Sequence, residues 1–493
     1  MIKSKAITDE AVKWPTASVL ITLGVLTGIT VLFGSNLPLK WGIALLMSCA
    51  VALLIAITRQ SKGNLFGLLM LAFPFRIDQI LLSYDYMGGT RGLRIALEDI
   101  ILFALFVIIL LESSTIKITW RNFYPRILIP WLLYFFISVL SYIASGCTPH
   151  GFGLIIEMMR CFAIFLVVAN YFTTKKRIKM GILLLFIVIG LQSIVAIIQY
   201  YGTSLIPGLD ILGQSNKIYQ ESWQSEHIRA GALLGGPNNL AHYFIRFLPI
   251  ACALIIYRFR SVMGVLATVT FAIGSFGLIL SFSRMGWIAF PISLGCIFIL
   301  SMRKKGKTKV LLTSFAISII VFSVALSSSN LITTRFFSSD NDAAYSRIPM
   351  MENSLHVIAA NPVLGVGINN YAASVSKYDF KRVYRVWGEF HPVHNEILLH
   401  FAEVGIIGGI GFCWLWAVCL LEAFRCSHIK DHFVSFIALG IFAGMIAELI
   451  FMQAQWGYLE GYLPFWVGLG LCVGMRNISS QTTNNNHSSS SAV

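Results

Sequence analysis

Fourteen runs of mostly apolar residues, each close to the roughly 20 that carry a helix across a bilayer, follow one another along the chain. They lie at 16–34, 39–57, 64–82, 94–111, 127–144, 154–172, 179–200, 238–257, 262–281, 285–301, 309–327, 395–421, 433–452 and 459–475. The run at 64–82 is the weakest, because Pro74, Arg76 and Asp78 interrupt it. The fold class this series implies is all-α, a polytopic membrane bundle of about 12–14 helices. Composition excludes a soluble alternative: 57% of the 493 residues are hydrophobic and 12% are charged, whereas water-facing domains carry roughly a quarter charged. The nine cysteines fall mostly inside apolar runs, with Cys147 in an outer loop, so they read as small core residues without a disulfide framework.

The net charge of +15 is a matter of topology. With a cytoplasmic amino end, the inner segments collect Lys3, Lys5, Lys13, Arg59, Lys62, Lys117, Arg121, Arg126, Lys175, Lys176, Arg177, Lys179, Arg258, Arg260, the five basic residues of 303–309, Arg425, Lys430 and Arg476, 22 of the 37 Lys and Arg. Basic connectors at every second gap are what the positive-inside rule produces, and nucleic acid is not expected as a partner. The first run is expected to be an uncleaved span, and the polar end after Arg476 a disordered cytoplasmic tail. The chain then divides into N-terminal spans (1–200), an outer loop (201–237), spans 238–327, a large outer loop (328–393), C-terminal spans (394–475) and the tail (476–493).

The two long gaps face outside in this orientation, and long loops commonly carry function. Within the second, Ile348, Met351, Leu355 and Ile358 share one face of a helix expected near 344–360. Asn361-Pro362 ends it, and Gly365 and Gly367 permit a tight turn. Such a helix lies on the outer membrane surface or caps a cavity.

Cations at the outer face run against the inside bias and need a reason. Arg229 precedes the helix that opens at Pro237-Asn238, and Arg284 stands in SFSRMGW, where almost no loop joins two spans. A charge at a helix centre costs roughly 3 kcal/mol on insertion scales, so each arginine either snorkels to the interface or faces an aqueous cavity. His394 and Asn395 open the helix after the long loop. An imidazole titrates near neutrality and suits a general base; a helix-start histidine bonded to backbone is the plainer alternative. Pro392 and the spacing of His391, His394, Glu396 and His400 argue against a metal site. Glu403 is an acid within a span, Glu448 and Glu460 raise the same question without an assignable partner, and Arg160 either joins the outer cavity or pairs with Glu157 on its own helix. Arginine forks match phosphate oxygens, and no nucleotide-binding loop is present. An extracytoplasmic enzyme joining sugars would therefore draw on an activated lipid donor.

The strings SFSRMGW (281–287), Arg229 with GGPNNLAHY (235–243), YSRIPMMENSLHVIAANPVLGVGINNY (345–371) and HNEILLHFAEVGIIGG (394–409) together resemble the O-antigen ligase and polymerase superfamily of bacterial membrane glycosyltransferases. The resemblance covers about 229–409. It implies transfer of a glycan from undecaprenyl pyrophosphate to an acceptor hydroxyl at the outer face of the bacterial inner membrane, with inversion and without metal or any other cofactor. By it, Arg229, Arg284 and Arg347 would hold the donor pyrophosphate, His394 would act on the acceptor hydroxyl, and Asn395 and Glu403 would support the His394 helix. The implied partners are the lipid-linked glycan, an acceptor glycan or lipid A core, membrane lipids, and a chain-length regulator or flippase. A polymerase extending lipid-linked repeat units is favoured over a ligase acting on lipid A core or protein. A transporter or lipid flippase, and a scaffold for other envelope enzymes, are the readings from other classes; a transporter predicts internal repeats, broken midplane helices and acidic residues coupled to ions, whereas no internal repeat is evident and the chemical groups stand at the outer edge.

Overall fold

The computed structural model describes residues 61–75, 77–83, 92–112, 120–215, 228–305, 317, 347–380, 391–455 and 462–476. The expected spans 16–34 and 39–57, nearly all of 309–327, Glu460 and the tail beyond Arg476 lie outside the described residues. In order, the helices are α1 (Ser61–Ala72), α2 (Leu97–Glu112), α3 (Pro125–Ala144), α4 (Pro149–Tyr171), α5 (Lys175–Tyr201), α6 (Pro237–Arg258), α7 (Val262–Leu280), α8 (Arg284–Lys305), α9 (Arg347–Ala360), α10 (Glu396–Cys426), α11 (His432–Phe451) and α12 (Leu463–Gly474). Between α1 and α2 an antiparallel hairpin pairs β1 (Asp78–Ser83) with β2 (Gly92–Ala96). Among the described residues eight helices, α3 to α8, α10 and α11, are long and apolar enough to cross a membrane. The chain is an all-α polytopic membrane bundle.

Local chemistry explains the boundaries. Proline opens α3, α4 and α6, where its missing N–H costs nothing. Thr174, Ser261, Asn395 and Asp431 cap α5, α7, α10 and α11, each side chain accepting a backbone N–H of the first turn. The run at 64–82 is corrected: α1 stops at Ala72, and Asp78 already begins β1. Pro74 disfavours helical geometry at the residue before it and cannot donate the next helical bond. Likewise Arg94 to Ala96, the start of the run at 94–111, belong to β2.

α6 is the centre of the bundle, buried along nearly its whole length, with α11, α7 and α8 against it; α3 packs on α10, α4 on α12 and α5 on α7. Large apolar side chains such as Phe103, Phe136, Ile143, Val262 and Ile410 are exposed on the outside, as a lipid-facing surface requires. Basic residues expected inside meet at one end. Arg126, Arg425 and Arg476 converge on the buried Glu422, Lys175 pairs with Asp431, and Lys304 reaches Ser427 and Ser435.

Candidate functional site

The opposite end of the bundle gathers most of the candidate residues. α7 and α8 are joined by Ser281, Phe282 and Ser283 alone. Phe282 takes a left-handed conformation, φ 52°, held by its complete burial and a stacked contact with Tyr200. Ser281 Oγ donates to the Leu278 carbonyl at 2.6 Å, and Trp287 Nε1 donates to the same carbonyl at 3.2 Å. This tight turn places Arg284 at the first position of α8. Residues 228–230 run alongside it: Ala230 N donates to Leu280 O at 2.9 Å, and Arg229 Nε donates to Ser281 O at 3.2 Å while its Nη2 donates to Asn238 Oδ1 at 3.1 Å. Arg229 and Arg284 thus stand on one small scaffold.

The large loop supplies Arg347, the first residue of α9. Burial and then the charge of Arg284 push the Arg347 pKa down, which places the two guanidinium groups within reach of each other's field. His394 lies in the same field. Burial first, then Arg347 and His391, push its imidazole down to about 4, against a smaller opposing pull from the Pro392 backbone. The charges acting on Arg347 and His394 are cationic, so this end of the bundle is a concentrated positive field in a partly desolvated place. At neutral pH His394 is uncharged, and its Nδ1 is buried with no hydrogen-bond partner among the described residues. A backbone hydrogen bond to Pro392 also acts on the ring, so the plainer alternative of a backbone-bonded imidazole stands beside the general-base one, with Nδ1 the atom left over.

The first residues of α10 anchor His394. Asn395 Oδ1 accepts Leu398 N at 3.0 Å, and its amide reaches Gln453 Oε1 at 3.3 Å; Glu396 N donates to Met452 O at 3.0 Å. The end of α11 therefore fixes the start of α10.

Glu403 plays a different part. Its carboxylate accepts Asn369 N at 2.8 Å and Tyr371 N at 3.0 Å, and it is fully buried. Just beyond it the expected continuous helix is broken at Gly405, whose φ of 72° and ψ of −177° are not helical. The break removes α10's own partners for nearby backbone groups, and the loop replaces them. Val366 N donates to Ala402 O at 3.0 Å, Gly367 N to Glu403 O at 2.9 Å, and Ile406 N to Pro362 O at 2.8 Å. A Cβ on Gly405 would run into the Val363 backbone, and one on Gly365 into the Glu403 backbone. As expected, α9 ends at Ala360, and Gly365 and Gly367 have positive φ. The segment 361–371 is clasped onto α10, and Asn369 Nδ2 donates to His150 O at 2.9 Å to tie it to α4 as well.

The face of α9 buried in the protein carries Met350, Asn353, Ser354 and Val357, while Ile348 and Leu355 of the apolar face are exposed: α9 docks on α10 through its smaller and more polar face, with Ser354 against Leu398. Arg160 stands in another cluster. It donates to Glu157 Oε1 at 2.7 Å, the intrahelical alternative, and to Asp99 at 3.3 Å, and Glu157 also meets Arg94 of β2. These groups line a cavity of about 410 Å³ with Gly92, Phe103 and Ile156.

Sequence reasoning missed Arg246, the partner of Glu448, and the contact of Tyr134 Oη with His400 Nδ1 at 2.9 Å. A cation inside α6 and an acid inside α11 were the available signals; nothing local pairs residues so far apart.

Residues 269–413 match the family model described as O-antigen ligase. The matched stretch contains Arg284, Arg347, His394, Asn395 and Glu403, and leaves Arg229 and Arg160 outside. No curated protein matches the chain. The family match supports the O-antigen ligase and polymerase superfamily.

Proposed function

We propose that this protein is a membrane glycosyltransferase that moves glycan repeat units from undecaprenyl pyrophosphate to the hydroxyl of an acceptor sugar at the outer face of a bacterial inner membrane, and so polymerises a cell-surface polysaccharide. The observation that carries the reading is the neutral imidazole of His394, with an open ring nitrogen, in the field of Arg347, which itself lies in the field of Arg284. An anion accompanied by a nucleophilic hydroxyl is the ligand such an arrangement suits. Arg229, Arg284 and Arg347 hold the pyrophosphate, whose oxygens guanidinium groups match. His394 Nδ1 takes the proton of the acceptor hydroxyl as its oxygen attacks the anomeric carbon. The bond from that carbon to the pyrophosphate oxygen breaks on the opposite side, configuration inverts, and undecaprenyl pyrophosphate leaves with its added charge stabilised by the arginines. Asn395 and Glu403 support the geometry, and both termini are cytoplasmic. Arg160, paired in its own cluster, has no part in this step.

The test is reconstitution in liposomes with undecaprenyl-pyrophosphate-linked repeat units, in EDTA and without nucleotide, comparing the native chain with His394→Ala. A ladder of longer lipid-linked glycans, reduced about 10²–10⁴-fold in the variant as for loss of a general base, is the expected result. Transfer only when lipid A core or protein acceptor is added would make the protein a ligase, and an inert chain under every acceptor would overturn the reading in favour of transport.

A further inference from the structure

Beneath the site, inside the spans, lies an ion cluster that the transfer chemistry does not use. Arg246 is the tenth residue of α6, about 14 Å below its first at 1.5 Å per residue, and Glu448 is near the end of α11. They are 3% and 1% exposed and form an ion pair. His242, one turn earlier on α6, meets Glu448 Oε1 through Nε2 at 2.9 Å. Its ring stacks on Tyr462 at 4.0 Å and 3° and on Phe451 at 5.0 Å, while the Arg246 guanidinium lies 4.9 Å over Phe465. Glu396 is near enough for its charge to act on Arg246.

Stability alone does not explain the pair. Charges in hydrocarbon are expensive, and well-packed apolar residues of similar volume stabilise as well or better. What an ion pair adds is a fixed partner and a fixed register. The register matters here because both helices end in the site. The second residue of α6, Asn238, binds Arg229. Met452 and Gln453, directly after α11, bind Glu396 and Asn395 beside His394. Gly444 and Gly440 bring α11 so close that a Cβ at either would meet the backbone of Arg246 or Ile250.

We propose that Arg246, Glu448 and His242 are positioning residues which lock α6 to α11 and thereby set the spacing between the Arg229 side of the site and His394. The proposal rests on the transferase reading for its consequence, though not for its geometry.

The experiment replaces the pair by apolar residues of similar size, Arg246→Met with Glu448→Met, and compares it with Arg246→Lys and the native chain in the liposome assay. Thermal unfolding in detergent is followed in parallel. The expected result is a double variant at least as heat-resistant as the native chain, with unchanged KM for the lipid-linked donor and kcat lowered about 10–100-fold, the scale of an ångström of misplacement. Arg246→Lys, which keeps the charge pair, recovers most of the turnover. A double variant with native kcat overturns the proposal, as does one whose kcat falls only in proportion to lost folded protein. An activity-independent measurement separates the two readings. Spin labels at Asn239→Cys and Ala454→Cys, with Cys49, Cys147 and Cys413 replaced, report the distance between the α6 start and the α11 end. A broadened or shifted distribution in the double variant supports the lock, and an unchanged one overturns it, even if the native chain proves inert and the transferase reading falls.

Discussion

At the scale of single residues, the decisive quantity is the charge around His394. A base whose pKa is about 4 is always neutral at physiological pH but drives proton transfer weakly, since general-base catalysis favours a pKa near the working pH. Arg347, the arginine that depresses it, is also one of those proposed to bind the donor. A pyrophosphate seated on them brings negative charge beside the ring, and an anion favours the imidazolium, so donor binding raises the His394 pKa toward its ordinary value near 6.5. The acid limb of kcat/KM, which reports the free enzyme, is therefore expected near pH 4, and that of kcat, which reports the donor complex, is expected higher. Coincident limbs would show that the bound donor does not reach His394. Arg347→Met removes the largest depressing charge and is expected to move the kcat/KM limb upward while weakening donor binding; an unmoved limb would leave burial and His391 as the causes.

At the scale of elements, the clasp between the 361–371 segment and α10 decides whether α9 and its Arg347 stay over the site. Glu403→Ala strands two buried backbone donors, at roughly 1–3 kcal/mol each, so a loss of about 2–6 kcal/mol in stability is expected. Glu403→Gln, which keeps one acceptor oxygen in place, is expected to lose less. Gly405→Ala forces a side chain into a backbone region essentially reserved for glycine, at about 1–3 kcal/mol, and also into Val363. Limited proteolysis is the measure: both alanine variants are expected to be cut in the loop faster than the native chain, and an unchanged rate would show that the clasp does not hold it. The clasp also marks where the sequence stops being legible. The eight long spans among the described residues could be read to within about five residues because a bilayer imposes one length on such apolar runs. The turn carrying Arg284 and the cap at Asn395 could be read because their signals are local. The Gly405 break could not, since its lost helical bonds are replaced by residues about 40 positions earlier. The β1–β2 hairpin was hidden inside two apolar runs, where Pro74, Arg76 and Asp78 were the warnings, and Arg246 with Glu448 was hidden because the partners lie 202 residues apart.

At the scale of the whole molecule, the bundle separates two electrostatic ends. One holds Arg126, Lys175, Lys304, Arg425 and Arg476 with their partners Glu422 and Asp431. The other holds Arg229, Arg284, Arg347 and His394. Surplus lysine and arginine stay on the cytoplasmic side of membranes, and the proposed function therefore puts the first end in the cytoplasm and the site outside, facing its proposed lipid-pyrophosphate donor. The chain carries its own reporter. Cys147 is exposed in the turn between α3 and α4, at the same end as the clasp, where Ser141 bonds the Glu403 carbonyl. A membrane-impermeant maleimide added to intact spheroplasts is expected to label Cys147. A cysteine introduced by Lys176→Cys, next to the Lys175–Asp431 pair, is expected to react only after permeabilisation. Cys413, exposed on the apolar flank of α10, is expected to resist a water-borne reagent in both cases. The opposite pattern, with Cys147 protected and position 176 open, would place His394 and its arginines in the cytoplasm and remove the electrostatic basis for an outward-facing transferase.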